Sequence, residues 1–240
     1  MTAVATVRTL ALPVTRTARV ALLGPATPAI RELWFVLHGY SQLAATFIED
    51  FRPIDDGSRL IVAPEALSRF YDGELSAESH RNGKVGASWM TKESREAEII
   101  DYLGYLNALR AHVTGMLGGA TPRVTVLGFS QGGSTASRWV AEGKVTASRL
   151  IVWGSSLPMD VDIASPNAPL RRVDLELVIG SRDQFATPPL VEKETARLHA
   201  AGYPFKFRGF DGGHRLDADV LREIAGVTAP AASRTPSDLS

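Results

Sequence analysis

Five short apolar runs constrain this chain more than any other feature: LWFVL at 33–37, LIVA at 60–63, VTVL at 124–127, LIVW at 150–153 and LELVI at 175–179. Each is long enough for one strand, and each stops at a glycine, a histidine or a proline. A run with almost no polar alternation suits a strand covered on both faces, as in a parallel sheet. Between the runs lie segments with helical periodicity. The clearest starts near Glu93, where Ile99, Ile100, Leu103, Leu106, Leu109, Val113 and Met116 recur at steps of three and four and predict a helix of about six turns ending near Gly118. Strands alternating with helices imply an α/β chain with a mainly parallel sheet, helices on both faces and right-handed crossovers.

The flanks of this pattern are less regular. Residues 4–12 and 16–23 alternate imperfectly and predict two antiparallel strands at the sheet's N-terminal edge, which brings the expected sheet to about seven or eight strands. Residues 42–51 predict a short helix before Pro53. The stretch 65–90 is polar and glycine-rich, too long for a plain connector, and is expected to line a site. Thr187-Pro188-Pro189 reads as a cap and first turn of a helix stopped by Gly202, Pro204–Phe210 as a last strand, and Leu216–Ile224 as a closing helix. The expected organisation is one domain over 1–226, and a tail from 227 to 240 with the composition of a disordered terminus.

Bulk properties narrow the partners. Twenty-six basic and 26 acidic residues cancel over 240 positions, and no block of one sign recruits nucleic acid or an anionic membrane. No stretch is long and apolar enough for a membrane span, and arginines at 8, 16, 19 and 31 interrupt any signal-like core. There is no cysteine, so disulfides, thiolate metal sites and a cysteine nucleophile are all absent. A cytoplasmic protein acting on a small molecule is the expectation. Oligomeric state has no signal here.

In a parallel sheet, reactive groups gather just past the strands' C-terminal ends. His38, Ser130, Trp153, Asp183 and His214 all stand there. Ser130 sits in VTVLGFSQGG, where a strand passes through a glycine-rich turn directly into a helix, the pattern of a nucleophile elbow. The pattern is weak alone, because a serine hydroxyl needs a base, and the base needs an acid to fix its tautomer. His214, in the Gly-Gly loop after the last strand, is the candidate base, and Asp183 the candidate acid; Asp160, Asp162 and Asp211 are the competitors. The order Ser130, Asp183, His214 suits this fold. The amide of Gln131, at the start of the following helix, is a free donor for an oxyanion, and the amide of Tyr40 is the second. His38 is read as shaping its turn, and His80, His112 and His199 as loop or helix-surface residues.

The motifs LHGYSQ at 37–42, GFSQGG at 128–133, GSSLP at 154–158, IGSRDQF at 179–185 and GGH at 212–214, taken together, resemble the phospholipase/carboxylesterase group of α/β-hydrolases, which includes acyl-protein thioesterases. The resemblance spans roughly 33–224. It implies the Ser130–Asp183–His214 triad, an oxyanion hole from the Tyr40 and Gln131 amides, no cofactor or metal, a minimal lid, and hydrolysis of carboxylic esters or thioesters. Trp89 is similar to an aromatic position lining the site in that group. Tyr40 departs from it, since the thioesterases usually carry a small aliphatic residue there, and so does the sequence of 65–90. Tyr40, Trp89, Leu157, Met159 and Phe185 lie beyond strand ends and suggest an apolar pocket for a small or medium acyl group. The same triad also serves acyl transfer to an alcohol or to peroxide, and a non-catalytic binding protein is the remaining alternative.

Overall fold

A computed structural model describes residues 6–73, 76 and 79–228. In chain order the elements are β1 (Val20–Leu23), β2 (Glu32–Leu37), α1 (Ala44–Phe47), β3 (Arg59–Pro64), β4 (Ser68–Tyr71), α2 (Ser79–Asn82), β5 (Val85–Ser88) and α3 (Arg95–Met116). There follow β6 (Arg123–Phe129), α4 (Gln131–Glu142), β7 (Arg149–Trp153), β8 (Asp174–Gly180), α5 (Pro188–Ala200), β9 (Phe205–Phe210) and α6 (Ala218–Ala225). Seven strands form one sheet in the order β1-β3-β2-β6-β7-β8-β9. Every pairing is parallel except β1 with β3.

The apolar runs owe their lack of alternation to this arrangement. Successive side chains of a strand point to opposite faces, and here both faces are covered. On β2, Leu33, Phe35 and Leu37 join a core beneath α3, α4 and α5, while Trp34 and Val36 join a second core with Phe47, Phe51 and Leu221. The long helix α3 follows its predicted span, burying Leu106, Leu109 and Val113 while leaving Ile100 and Met116 toward solvent. No helix among the described residues is long and apolar enough to cross a membrane.

Several expectations change. The N-terminal pair of strands reduces to one: β1 pairs with β3, and among the described residues upstream of it Val7, Leu10, Leu12 and Val14 stand exposed without strand structure. Alternation specifies a face but not a partner, and β1 alone occupies the free edge of β3. The helix expected over 42–51 is a single turn, α1, continued by a 3-10 segment Ile48–Ile54 that contains Pro53. Within 65–90, β4 and β5 form an antiparallel hairpin, pairing Ser68 with Ser88 and Tyr71 with Val85. Thr187 occupies the cap position of α5 without a capping bond from its side chain. Asp217 does cap α6, accepting from the Asp219 and Val220 amides, and this starts the helix at Ala218. Residues 229–240, most of the expected tail, lie outside the described residues.

Candidate active site

Between β6 and α4 the chain reverses in one residue. Ser130 has φ 53° and ψ −120°, a conformation that costs a non-glycine residue energy and persists only where the surroundings fix it. They do so closely. The Ser130 amide donates to the Trp153 carbonyl on the neighbouring strand at 2.8 Å, and its carbonyl accepts from the Gly133 amide at 2.9 Å. A Cβ on Gly132 would lie 2.2 Å from the Leu37 carbonyl oxygen, and one on Gly128 would lie 2.2 Å from the Gly132 oxygen. The end of β2, the end of β6 and the first turn of α4 therefore touch backbone to backbone. Gly132→Ala is expected to force these elements apart and to lower stability by about 2–4 kcal/mol, read as a shifted denaturant midpoint. An unchanged midpoint would show that the elbow yields freely.

Asp183 and His214, from the loops after β8 and β9, meet with Asp183 Oδ2 2.8 Å from His214 Nδ1. The other carboxylate oxygen accepts from the Phe185 and Ala186 amides at 2.8 and 2.9 Å, so one group braces its own loop and holds the imidazole. Burial pushes the Asp183 carboxyl up, but hydrogen bonds from the Ala186 amide, the His214 ring and the Phe185 amide outweigh it and leave the group below its ordinary value. A carboxylate at Oδ2 makes Nδ1 the protonated nitrogen and leaves Nε2 the acceptor. The competing aspartates are engaged elsewhere: Asp160 with Arg138 and Arg95, Asp162 with the Ala164 and Ser165 amides, and Asp211 with Arg182 and Ser181.

The imidazole lies beside the elbow, its ring 4.7 Å from that of Phe129, the residue before Ser130, and equally far from that of Phe185. Gly154 backs the pair, with a Cβ there reaching 3.0 Å from the ring and 3.3 Å from Asp183 Oδ2. Ser130 Oγ has no hydrogen-bond partner among the described residues and lines a cavity.

Over Ser130 runs the turn that follows β2, close enough that a Cβ on Gly39 would stand 3.2 Å from Ser130 Cβ. Gln42 Oε1 accepts from the Gly39 amide and the Ala87 carbonyl from the Ser41 amide, whereas the Tyr40 amide donates to none of the described residues. The Gln131 amide, in the first turn of α4, lacks an intrahelical acceptor. His38 is wholly buried beneath this turn. Its Nε2 accepts from the Ala66 amide, so its Nδ1 donates to the Gly39 carbonyl at 2.7 Å. Burial lowers its pKa, and a neutral ring fixed at both nitrogens is a brace for the turn. His112 and His199 lie on α3 and α5, the latter against Phe205.

The cavity, about 460 Å³, runs from Ser130 between the 154–159 loop and α5, past Leu157, Met159, Ile179, Phe185 and Leu190. Leu157 is buried, while Met159 and Phe185 are largely exposed at the rim. The two other aromatic pocket candidates stand elsewhere. Trp89 is 3% exposed, packs on His38 at 5.2 Å and donates its indole N–H to the His38 carbonyl, so it is a core residue under the turn. Tyr40 stacks on Phe70 of the hairpin. Sequence reasoning placed both beyond a strand end but could not tell which way each ring turned.

Other side chains that brace the site carried almost no sequence signal. The Gln131 side chain clamps the segment after β5, accepting from the Trp89 amide at 3.0 Å and donating to the Met90 carbonyl at 2.8 Å. On α5, Glu194 accepts from the Leu157 amide, and Arg197 donates to the Leu157 carbonyl and to Glu194, which pins the pocket loop. Arg138 forks onto both Asp160 oxygens at 2.8 and 2.9 Å. That bond, chiefly, pushes the Asp160 carboxyl down to about 2. The i, i+3 spacing of Glu194 and Arg197 on a face shared with Leu190 is the one hint the sequence offered.

No protein-family model matches the chain, and no curated protein does. Solved structures do. Zea mays acyl-protein thioesterase 2 superposes with a TM-score of 0.62 at 20% identity, over 88% of this chain and 97% of that one. A carboxylesterase from Mesorhizobium loti gives 0.62 at 18%, over 87% and 94%. SOBER1 of Arabidopsis thaliana gives 0.62 at 19%, over 82% and 96%. At these identities the likeness establishes the fold of the chain, which is that of the α/β-hydrolases.

Proposed function

We propose that this α/β-hydrolase-fold chain is a serine hydrolase that cleaves carboxylic esters or thioesters through an acyl-enzyme on Ser130. His214 Nε2 takes the Ser130 proton as Oγ attacks the acyl carbon, and the oxyanion that forms is met by the Tyr40 and Gln131 amides. The imidazolium, held against Asp183, then returns the proton to the leaving alcohol or thiol. Water repeats the cycle on the acyl-enzyme, with His214 again as base, and releases the acid. The observation that carries this reading is the 2.8 Å bond between Asp183 and His214 beside a serine held at φ 53°. The names of the similar structures, a thioesterase and a carboxylesterase, point the same way. The test is turnover of 4-nitrophenyl esters and the matching thioesters by wild type and Ser130→Ala, with fluorophosphonate labelling mapped to the modified residue.

The pocket loop should tune binding more than chemistry. Asp160→Asn leaves Arg138 one acceptor oxygen and turns an NH2 group toward it, which breaks the fork and weakens the anchor beside Met159. The expected result is a KM for hexanoate esters raised about three- to tenfold, with kcat changed much less, in steady-state kinetics. A fall in kcat at constant KM would contradict that role.

A further inference from the structure

One face of α5 meets the cavity through Leu190, Lys193, Glu194 and Arg197, spaced three, four and seven residues from the first. Their charges are not equivalent. Glu194 and Arg197 neutralise each other at 2.9 Å, and both are committed to the Leu157 main chain. Lys193 is exposed and has no ion pair or hydrogen bond among the described residues. Of the acidic groups in the flanking segments, Asp160 is held by Arg138 and Asp183 by His214, while Glu192, the neighbour of Lys193 on α5, is exposed and does not line the cavity. Besides apolar side chains the lining holds Gln131, serine hydroxyls at 130, 134, 155 and 156 and the mutually neutralised Glu194–Arg197 pair, so the α5 wall carries one uncompensated positive charge. A lysine there lays its methylene stem along the apolar wall and keeps its ammonium in water at the rim.

The geometry points to a substrate whose acyl chain ends in a carboxylate: a half-ester, or half-thioester, of a linear dicarboxylic acid. The inference rests on Ser130 as the nucleophile. The scissile carbonyl sits at Ser130, the methylenes pack on Leu157, Ile179 and Leu190, and the distal carboxylate meets the Lys193 ammonium. Hydrolysis breaks the bond between the acyl carbon and the leaving oxygen or sulfur. Water gives its hydroxyl to the acyl carbon and a proton to the leaving group, so the products are the dicarboxylic acid and an alcohol or thiol. A charge at a wet rim discriminates modestly, and its contribution is screened by salt.

The test compares mono-4-nitrophenyl adipate with 4-nitrophenyl hexanoate, the uncharged ester of equal chain length, as the ratio of their kcat/KM values. In Lys193→Gln the ratio should fall about three- to tenfold, and in Lys193→Glu it should fall further. High salt should shrink the wild-type ratio toward that of Lys193→Gln. A ratio unmoved by both substitutions overturns the inference. A second readout does not depend on turnover. Adipate itself, titrated calorimetrically, should bind wild type and Ser130→Ala alike and bind Lys193→Glu more weakly; equal binding by all three overturns it. Failure of the nucleophile reading shows instead as hydrolysis of both esters by Ser130→Ala at the wild-type rate.

Discussion

Alanine at position 130 is expected to lower ester turnover by about five to six orders of magnitude and to abolish fluorophosphonate labelling, leaving only what oxyanion stabilisation and binding supply. The backbone should tolerate the change. Alanine at φ 53° is strained no more than serine, and the bonds that fix the elbow run from the residue's own amide and carbonyl, to Trp153 and Gly133. An unchanged circular dichroism spectrum with lost activity is thus the expected pair of results. Full activity in the variant, or a label mapped to another residue, would remove Ser130 from the chemistry.

Asp183→Asn should cost about three to four orders of magnitude in kcat with little change in fold. The asparagine carbonyl oxygen can keep the two amide bonds from Phe185 and Ala186 that Oδ1 accepts now. Its NH2 group would then face His214 Nδ1 in place of Oδ2. A donor there requires Nδ1 to accept, which puts the proton on Nε2, where it blocks uptake of the serine proton. The nitrogen shifts of the ring report the tautomer directly, and kcat reports its consequence. A variant within tenfold of wild type would mean that Asp183 only braces its loop.

Much of the architecture was legible because the strands are buried on both faces, and a run such as LWFVL has few other places to go. What could not be read was partnership. The alternation at 4–12 was visible, but nothing local says that Val20–Leu23 alone would meet β3. The hairpin hidden in 65–90 joins Ser68 to Ser88 across a stretch whose composition reads as loop. The same division holds at the site. Ser130, Asp183 and His214 became candidates through the glycine-rich turn, their places past strand ends and their order together, whereas Trp89 follows a strand end too and turns into the core. Lys193 and the clamp made by the Gln131 side chain were invisible, because a helix-surface lysine and the far end of a first-turn glutamine acquire their roles only from what folds opposite them.

The clamp from Gln131 onto Trp89 and Met90 gives the two walls of the site different freedoms. On one side, β5, the Trp89 indole, the His38 carbonyl and the turn bearing the Tyr40 amide form a single bonded frame with the start of α4. A graft of the 65–90 segment from another protein would disturb the frame and should damage rate before it damages folding. On the other side, the 154–159 loop and α5 meet through the side chains of Glu194 and Arg197, both bonded to the Leu157 main chain. Redesign of the pocket therefore belongs on the α5 wall, where a residue can be exchanged without retuning the frame that carries the Tyr40 amide.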